Sequence, residues 1–182
     1  MTAALLEPPA VEPLSLPDIR RHLRLDAVDE DETYLLDLVR AARVHAENAA
    51  GRRFVRQRWR RYADRAERIA LRLGPVDRVE AVTLFDAAGR ASAAAPEEWR
   101  LHDETLLLDR TARARAANGV EIDLVCGYGD APADVPAPLR QAVAMLVAHW
   151  HEFRGAVAPD DQPVSLPPGF RALLAPFRRV TL

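Results

Sequence analysis

One helix limits what this chain can fold into. In GYGDAPADVPAPLRQAVAMLVAHWHEFRG, Gly127 to Gly155, the residues Leu139, Val143, Leu146, Trp150 and Phe153 recur at steps of four, three, four and three. That spacing places all five on one helical stripe, which has to be covered. A helix over 136–154 is therefore expected at the centre of a core. Asp134, Pro136 and Pro138 mark its start, because proline is tolerated in the first turn, where an N–H lacks an intrahelical partner anyway. Gly155 is the natural stop.

Two earlier helices can cover the stripe. Ser15 reads as an N-cap, with Pro17 in the first turn and Asp18 at the capping-box position. Leu16, Ile19, Leu23 and Leu25 then form one apolar side of a helix over 15–25. An acidic run, Asp26, Asp29, Glu30, Asp31 and Glu32, leads into a helix over 30–50, where negative charge suits the positive end of the helix dipole. The run lacks the glycine and the distant glutamate of a calcium loop. Leu35, Leu38, Val39, Ala42, Ala46 and Ala49 form the buried face of this second helix, small enough toward its end to let another helix approach. Gly51 ends it. Residues 1–13, with Pro8, Pro9 and Pro13, read as a flexible or extended arm.

Between these helices and the central one the period changes to two. Trp59 to Tyr62, Ile69 to Leu73, Val79 to Phe85, Trp99 to Leu101, Leu106 to Leu108 and Val120 to Cys126 read as short strands within 55–126. Gly74-Pro75, Asp86 to Gly89 and Asn118-Gly119 are the turns between them. The fold class that follows is α+β: a helical bundle of three main helices plus a short C-terminal helix, with a small antiparallel sheet inserted between helix 2 and the central helix. This gives a single domain over 14–155, flanked by the arm and by residues 156–182. That last stretch is a proline-rich loop followed by an amphipathic piece, with Phe170, Leu173, Leu174 and Phe177 ahead of Arg178 and Arg179. An apolar chain end needs either the domain or a partner to cover it.

At 182 residues the chain can bury one proper core but not two large ones. A net charge of -2 argues against a surface wholly devoted to nucleic acid. All 25 basic residues are arginine, a bias that high genomic GC content explains. The single cysteine, Cys126, rules out an intrachain disulfide and a multi-cysteine metal site, and its apolar strand suggests a buried thiol. No apolar run has the length to cross a bilayer and no signal peptide is evident, so a cytoplasmic setting, or a structure assembled there, is expected.

No catalytic constellation stands out and no cofactor is implied. Ser15, Ser92 and Ser165 lack a nucleophile-elbow setting. His149 and His151 stand two apart on a helix, so their rings point to opposite sides and suit a core or an interface better than a metal. Gly127-Tyr128-Gly129 is too short for a phosphate loop. The arginines Arg52, Arg53, Arg56, Arg58, Arg60, Arg61, Arg65, Arg68 and Arg72 are opposed locally only by Asp64 and Glu67. They read either as a phosphate-contacting stripe, with Trp59 and Tyr62 for stacking, or as a solvated strand face. In the second reading the face could also pair with acidic residues of a neighbouring subunit.

The motifs taken in order resemble the head–tail connector, or adaptor, proteins of tailed bacteriophages and gene transfer agents. The resemblance runs from Leu14-Ser15-Leu16 through His22-Leu23-Arg24 and Asp26 to Ala41-Ala42-Arg43, Glu47, Gly51-Arg52 and Gln57. It continues in Leu73-Gly74-Pro75-Val76, Gly127-Tyr128-Gly129, Val135-Pro136, Leu139-Arg140-Gln141-Ala142, Leu146 to Trp150 and Glu152-Arg154. Leu166-Pro167, Leu173-Leu174 and Pro176-Phe177-Arg178 complete it, and His151 stands where the family's usual run has tyrosine.

The resemblance implies a non-enzymatic ring component, commonly of twelve copies, beneath the portal of a DNA-filled head. Its implied partners are the portal protein, a tail-side stopper or tail-terminator protein, further copies of itself and DNA passing through the channel without sequence-specific binding; no membrane is implied. Its implied places are the particle neck and, during assembly, the bacterial cytoplasm. Phe170, Leu173, Leu174, Phe177, Arg178 and Arg179 are then expected to dock on the portal. Asp29, Asp31, Glu32, Arg52, Arg53, Arg56, Arg58 and Arg60 are expected at subunit or partner contacts. An arginine-rich nucleic-acid-binding protein is the alternative.

Overall fold

A computed structural model describes residues 2–25, 31–64, 67–153 and 166–178. Helices and antiparallel strands are both present, so the class is α+β. The expected single domain over 14–155 resolves into two compact units, each made from separate chain segments. One comprises residues 1–10 and 56–128, the other 11–55 and 129–182.

The helical unit begins with α1, Leu16–Leu23. Ser15 caps it with a complete capping box: its hydroxyl accepts from the Asp18 N–H, and the Asp18 carboxylate accepts from the Ser15 N–H. The hydrogen bond from the Ser15 hydroxyl is the chief reason the Asp18 carboxyl is held below the usual carboxylate range. Arg24 closes the helix in the left-handed region at φ 58, where the Leu25 N–H reaches the Arg20 carbonyl at 3.0 Å. A side chain in that conformation costs about 1–2 kcal/mol, and glycine gives back about half of the relief as chain entropy. Arg24→Gly is accordingly expected to stabilise the protein by about 0.5 kcal/mol, read as a higher urea midpoint.

α2, Glu32–Ala50, starts on Asp31, whose carboxylate accepts from the Thr33 N–H at 2.8 Å, and ends on Gly51 at φ 66. α4, Ala137–Phe153, carries the stripe: Leu139, Val143 and Leu146 are buried, while Trp150 and Phe153 remain partly exposed. The glycine stop proposed at Gly155 lies outside the described residues, as does most of the proline-rich loop. α1, α2, α4 and the short α5, Phe170–Leu174, pack on one another. Ile19, Leu35, Val39, Ala42, Ala46, Leu139, Val143 and Phe170 are among their buried side chains, and Phe54, just past the end of α2, is buried as well. Ala42, Ala46 and Ala50 of α2 are buried and Ala49 is half-buried in the helix that packs most closely on α4, the close approach that small residues permit.

Polar residues are buried here too. Arg43 and Glu47 are 5% and 1% exposed. Glu47 accepts from Arg43 Nη1 at 3.2 Å, from Arg53 Nη1 at 3.5 Å and from the Phe54 N–H at 2.8 Å. Arg43 Nε in turn donates to Glu12 at 2.6 Å. The network ties the extended segment before α1 and the exit from α2 to one point on α2.

The other unit is built of strands. Instead of one small sheet it holds two: a five-stranded sheet ordered β1-β2-β8-β4-β5 and a three-stranded sheet ordered β3-β7-β6. The first uses β1 Ala3–Glu7, β2 Gln57–Ala63, β4 Val76–Phe85, β5 Ala91–Ala93 and β8 Val120–Cys126. The second uses β3 Arg68–Ala70, β6 Trp99–His102 and β7 Thr105–Leu108. A short helix α3, Arg110–Arg115, capped by Asp109, was not anticipated, because Ala112 is the one buried side chain its six residues contribute. Ile69, Leu71, Val82, Leu84, Leu106, Ala112, Ile122 and Leu124, from both sheets and α3, share one core cluster. Of the two readings of the arm, flexible or extended, Ala3–Glu7 takes the extended one, as an ordered strand paired antiparallel to β2. Pairing satisfies backbone groups that an isolated arm would leave to water.

Candidate functional site

The arginines of β2 follow from its alternation. Gln57, Trp59, Arg61 and Ala63 turn to the core side, and Arg58, Arg60 and Tyr62 to the other face. Arg58 pairs with Glu7 on β1 and with Glu80 on β4, the latter at 2.8 Å. Arg60 holds Asp123 on β8 through two bonds of 2.7 and 2.8 Å, with Glu121 at 3.2 Å. Arg78 on β4 binds Asp77 and Glu80, each at 2.9 Å, and Arg56 lies 3.7 Å from Asp77. These bonds push the Arg58 and Arg60 guanidinium pKa values up, first through the carboxylates of Glu7 and Asp123 respectively. The face is therefore a ladder of alternating charges across four strands. Exposed pairs of this kind contribute only about 0–1 kcal/mol each, but they leave these cations already engaged.

Arg61 is the exception on its strand. It is buried on the core side, where its Nε donates to the Ala70 carbonyl at 3.1 Å and burial lowers its pKa. Arg68 and Arg72 are exposed, and Arg65 lies outside the described residues.

The remaining contact residues proposed from sequence are also engaged within the chain. Arg52 Nε donates to the Phe177 carbonyl at 2.9 Å, and Arg53 joins the Glu47 network and reaches Asn48 at 3.2 Å. Asp31 serves as the α2 cap, and Glu32 pairs with Arg20 at 3.0 Å. Asp29 lies outside the described residues.

The C-terminal group divides. Phe170 and Leu174 are 0% and 1% exposed inside the helical unit, so they belong to its core and not to a free docking face. The Phe170 ring lies 5.9 Å from that of His45 on α2, which in turn meets Trp150 edge-on at 5.8 Å. Leu173 and Phe177 keep part of their surface and Arg178 is exposed, while Arg179 lies outside the described residues.

The acidic partners were missed at the sequence level. Glu121 and Asp123 interleave Val120, Ile122 and Leu124, which marked them as facing away from the core. Glu7 and Glu80 gave no such signal, because β1 and β4 come near β2 only in the folded sheet, β1 as its neighbour and β4 on the far side of β8. His149 meets Phe153 at 4.8 Å and His151 meets Tyr34 at 6.2 Å. The concavity beside Tyr62 is lined by Thr2, Asp64, Phe85, Asn118 and neighbouring backbone, without histidine, cysteine or arginine. Among the described residues no group of three or more His, Cys, Asp or Glu could hold a metal ion. No described helix is long and apolar enough to cross a membrane.

No known family model matches the chain, and no curated protein sequence matches it. Solved structures do match. A chain from the virion of a native gene transfer agent particle superimposes with a TM-score of 0.80 at 26% identity, over 100% of this chain and 97% of that one. A chain from the neck of an empty gene transfer agent particle, computed with C6 symmetry, gives 0.78 at 27% identity, over 100% and 97%. A third, from the neck of a native particle computed with C12 symmetry, gives 0.71 at 29% identity, over 98% and 97%. The similarity spans both units.

Proposed function

We propose that this chain is a structural component of the neck of a gene transfer agent or tailed-phage particle, acting as the head–tail adaptor. It assembles as a ring beneath the portal, presents a platform to the tail-side stopper or terminator protein and surrounds the path of the DNA. The observation that carries this is the full-length match to chains of such particles, one solved in a neck with C12 symmetry. A non-enzymatic role agrees with it.

Phe170 and Leu174 hold α5 in place, so portal docking falls to the surface left by Leu173, Phe177 and Arg178, with Arg179 beyond them. The nucleic-acid-binding alternative loses its main support, because Arg56, Arg58 and Arg60 already face carboxylates.

Deleting the gene for this chain is expected to give DNA-filled heads and free tails that do not join. Electron microscopy of wild-type particles should show the chain as a ring between portal and tail. Normal tailed particles from the deletion strain would overturn the proposal.

A further inference from the structure

The five-stranded sheet ends in β1 on one side and β5 on the other. Open edges are usually guarded by charge or proline within the strand. Here β1 has its charge, Glu7, and the prolines Pro8 and Pro9 only at and beyond its far end, past the bulge after Leu5, so Ala3 to Leu5 stay open; the three residues of β5, Ala91, Ser92 and Ala93, carry neither.

The ladders fix which backbone groups point outward. The Tyr62 N–H donates to the Thr2 carbonyl, and Ala4 pairs with Arg60. Thr2 and Ala4 thus turn to β2, and Ala3 and Leu5 turn to the open side. At the far edge the Ala94 N–H donates to the Val82 carbonyl, the Asp86 N–H donates to the Arg90 carbonyl, and Ser92 pairs with Leu84. Ala91 and Ala93 therefore face outward. The Ala93 carbonyl accepts from Arg115 Nη2 at 2.8 Å. The other outward groups of Ala3, Leu5, Ala91 and Ala93 have no partner among the described residues.

Direction follows from parity. Every neighbouring pair in the sheet is antiparallel and the strands number five, so β1 and β5 run the same way. A second copy related by a ring rotation that also takes up the twist accumulated across the sheet presents its β1 to this β5 in the parallel sense.

Building on the ring reading above, we infer that β5 of one copy pairs in parallel with β1 of the next, so that the five-stranded sheets join edge to edge around the ring. The Ala91 N–H donates to the Ala3 carbonyl of the second copy, the Leu5 N–H of the second copy donates to the Ala91 carbonyl, and the Ala93 N–H donates to the Leu5 carbonyl of the second copy. Ala91 then lies across from Ala4 of the second copy. Both belong to the same face of the sheet, Ala4 through its pairing with Arg60 and Ala91 through its pairing with Phe85, as a continuous sheet requires.

The contact is heterologous, one edge against the opposite one, and such contacts close into rings when the rotation allows. At a strand spacing of about 4.8 Å each copy spans about 24 Å, and twelve copies make a circle about 90 Å across.

Cysteines at facing positions test the junction. Adjacent strands set Cα atoms about 4.8 Å apart, inside the usual disulfide range of about 4.4–6.8 Å. Particles are prepared with full-length Ala4→Cys/Ala91→Cys and with each single variant, oxidised mildly, and run on non-reducing gels. The double variant is expected to give a ladder of covalent multimers ending at the closed ring. Each single variant should give none, since Cys126 is buried in all of them. Particles whose neck ring is visible by electron microscopy but whose double variant runs as one monomer band would overturn the strand junction and leave the ring reading standing. Particles that lack the chain would overturn both. Leu5→Pro removes an outward N–H without touching the β1–β2 ladder, so it is expected to keep the monomer's melting temperature within a few degrees and to abolish incorporation into particles. Normal incorporation of that variant would also overturn the junction.

Discussion

Phe170→Ala is expected to destabilise the protein by about 3–5 kcal/mol, a large fraction of the total stability of a domain this size. The ring is fully buried and contacts His45, within a group where α5 packs against α2 and α4. Truncation removes its apolar area and leaves a cavity that neighbouring helices fill only in part. Urea unfolding monitored by far-UV circular dichroism gives the value directly. Phe177→Ala, at a half-exposed position, is the control and should cost under about 1.5 kcal/mol. If Phe170→Ala unfolded like wild type and only failed to join heads, the residue would return to the docking surface from which its burial removed it.

Glu47→Ala is expected to cost about 2–3 kcal/mol, because it leaves the buried Phe54 N–H and Arg43 Nη1 without their acceptor while Glu12 still holds the rest of the Arg43 guanidinium. Its carboxylate serves Arg43, Arg53 and the Phe54 N–H together, and Arg43 has little access to water once that acceptor is gone. Glu47→Gln keeps one carbonyl oxygen for the Phe54 N–H but loses the charge, so it should fall between Ala and wild type. Thermal and urea denaturation of the three proteins would rank them. A loss below about 1 kcal/mol for the alanine variant would mean that solvent reaches Arg43 and that the network matters little.

Local signals were legible in the sequence where one short stretch contained both partners. Ser15 and Asp18 lie three apart, and their reciprocal bonds could be named before the fold was known. The stripe Leu139, Val143 and Leu146 was visible for the same reason: a helix brings its own residues to one face. The alternation of Val120 to Leu124 likewise predicted both the strand and its inner side.

What could not be read depended on pairing across distance. β1 is a short run next to two prolines, with no alternation of its own, and it becomes a strand only because β2 offers an edge. The pairing of Arg58 with Glu7 and Glu80, and of Arg60 with Asp123, comes from strand register, so the arginines looked unopposed along the chain. Phe170 and Leu174 showed an amphipathic end clearly, but not whether the cover was the chain itself or a partner.

The division of the chain between its two units also bears on the order in which it can fold during synthesis. Residues 1–10 leave the ribosome well before residues 56–128, so the sheet they complete is not made until the whole of α1 and α2 has also been synthesised. Until then β1 has nothing to pair with, and afterwards β2 keeps a vacant side until β1 arrives. Such distant pairing is slow, since a long loop must close before any contact rewards it. Neither unit can therefore be expressed as one uninterrupted fragment without leaving a piece of itself behind.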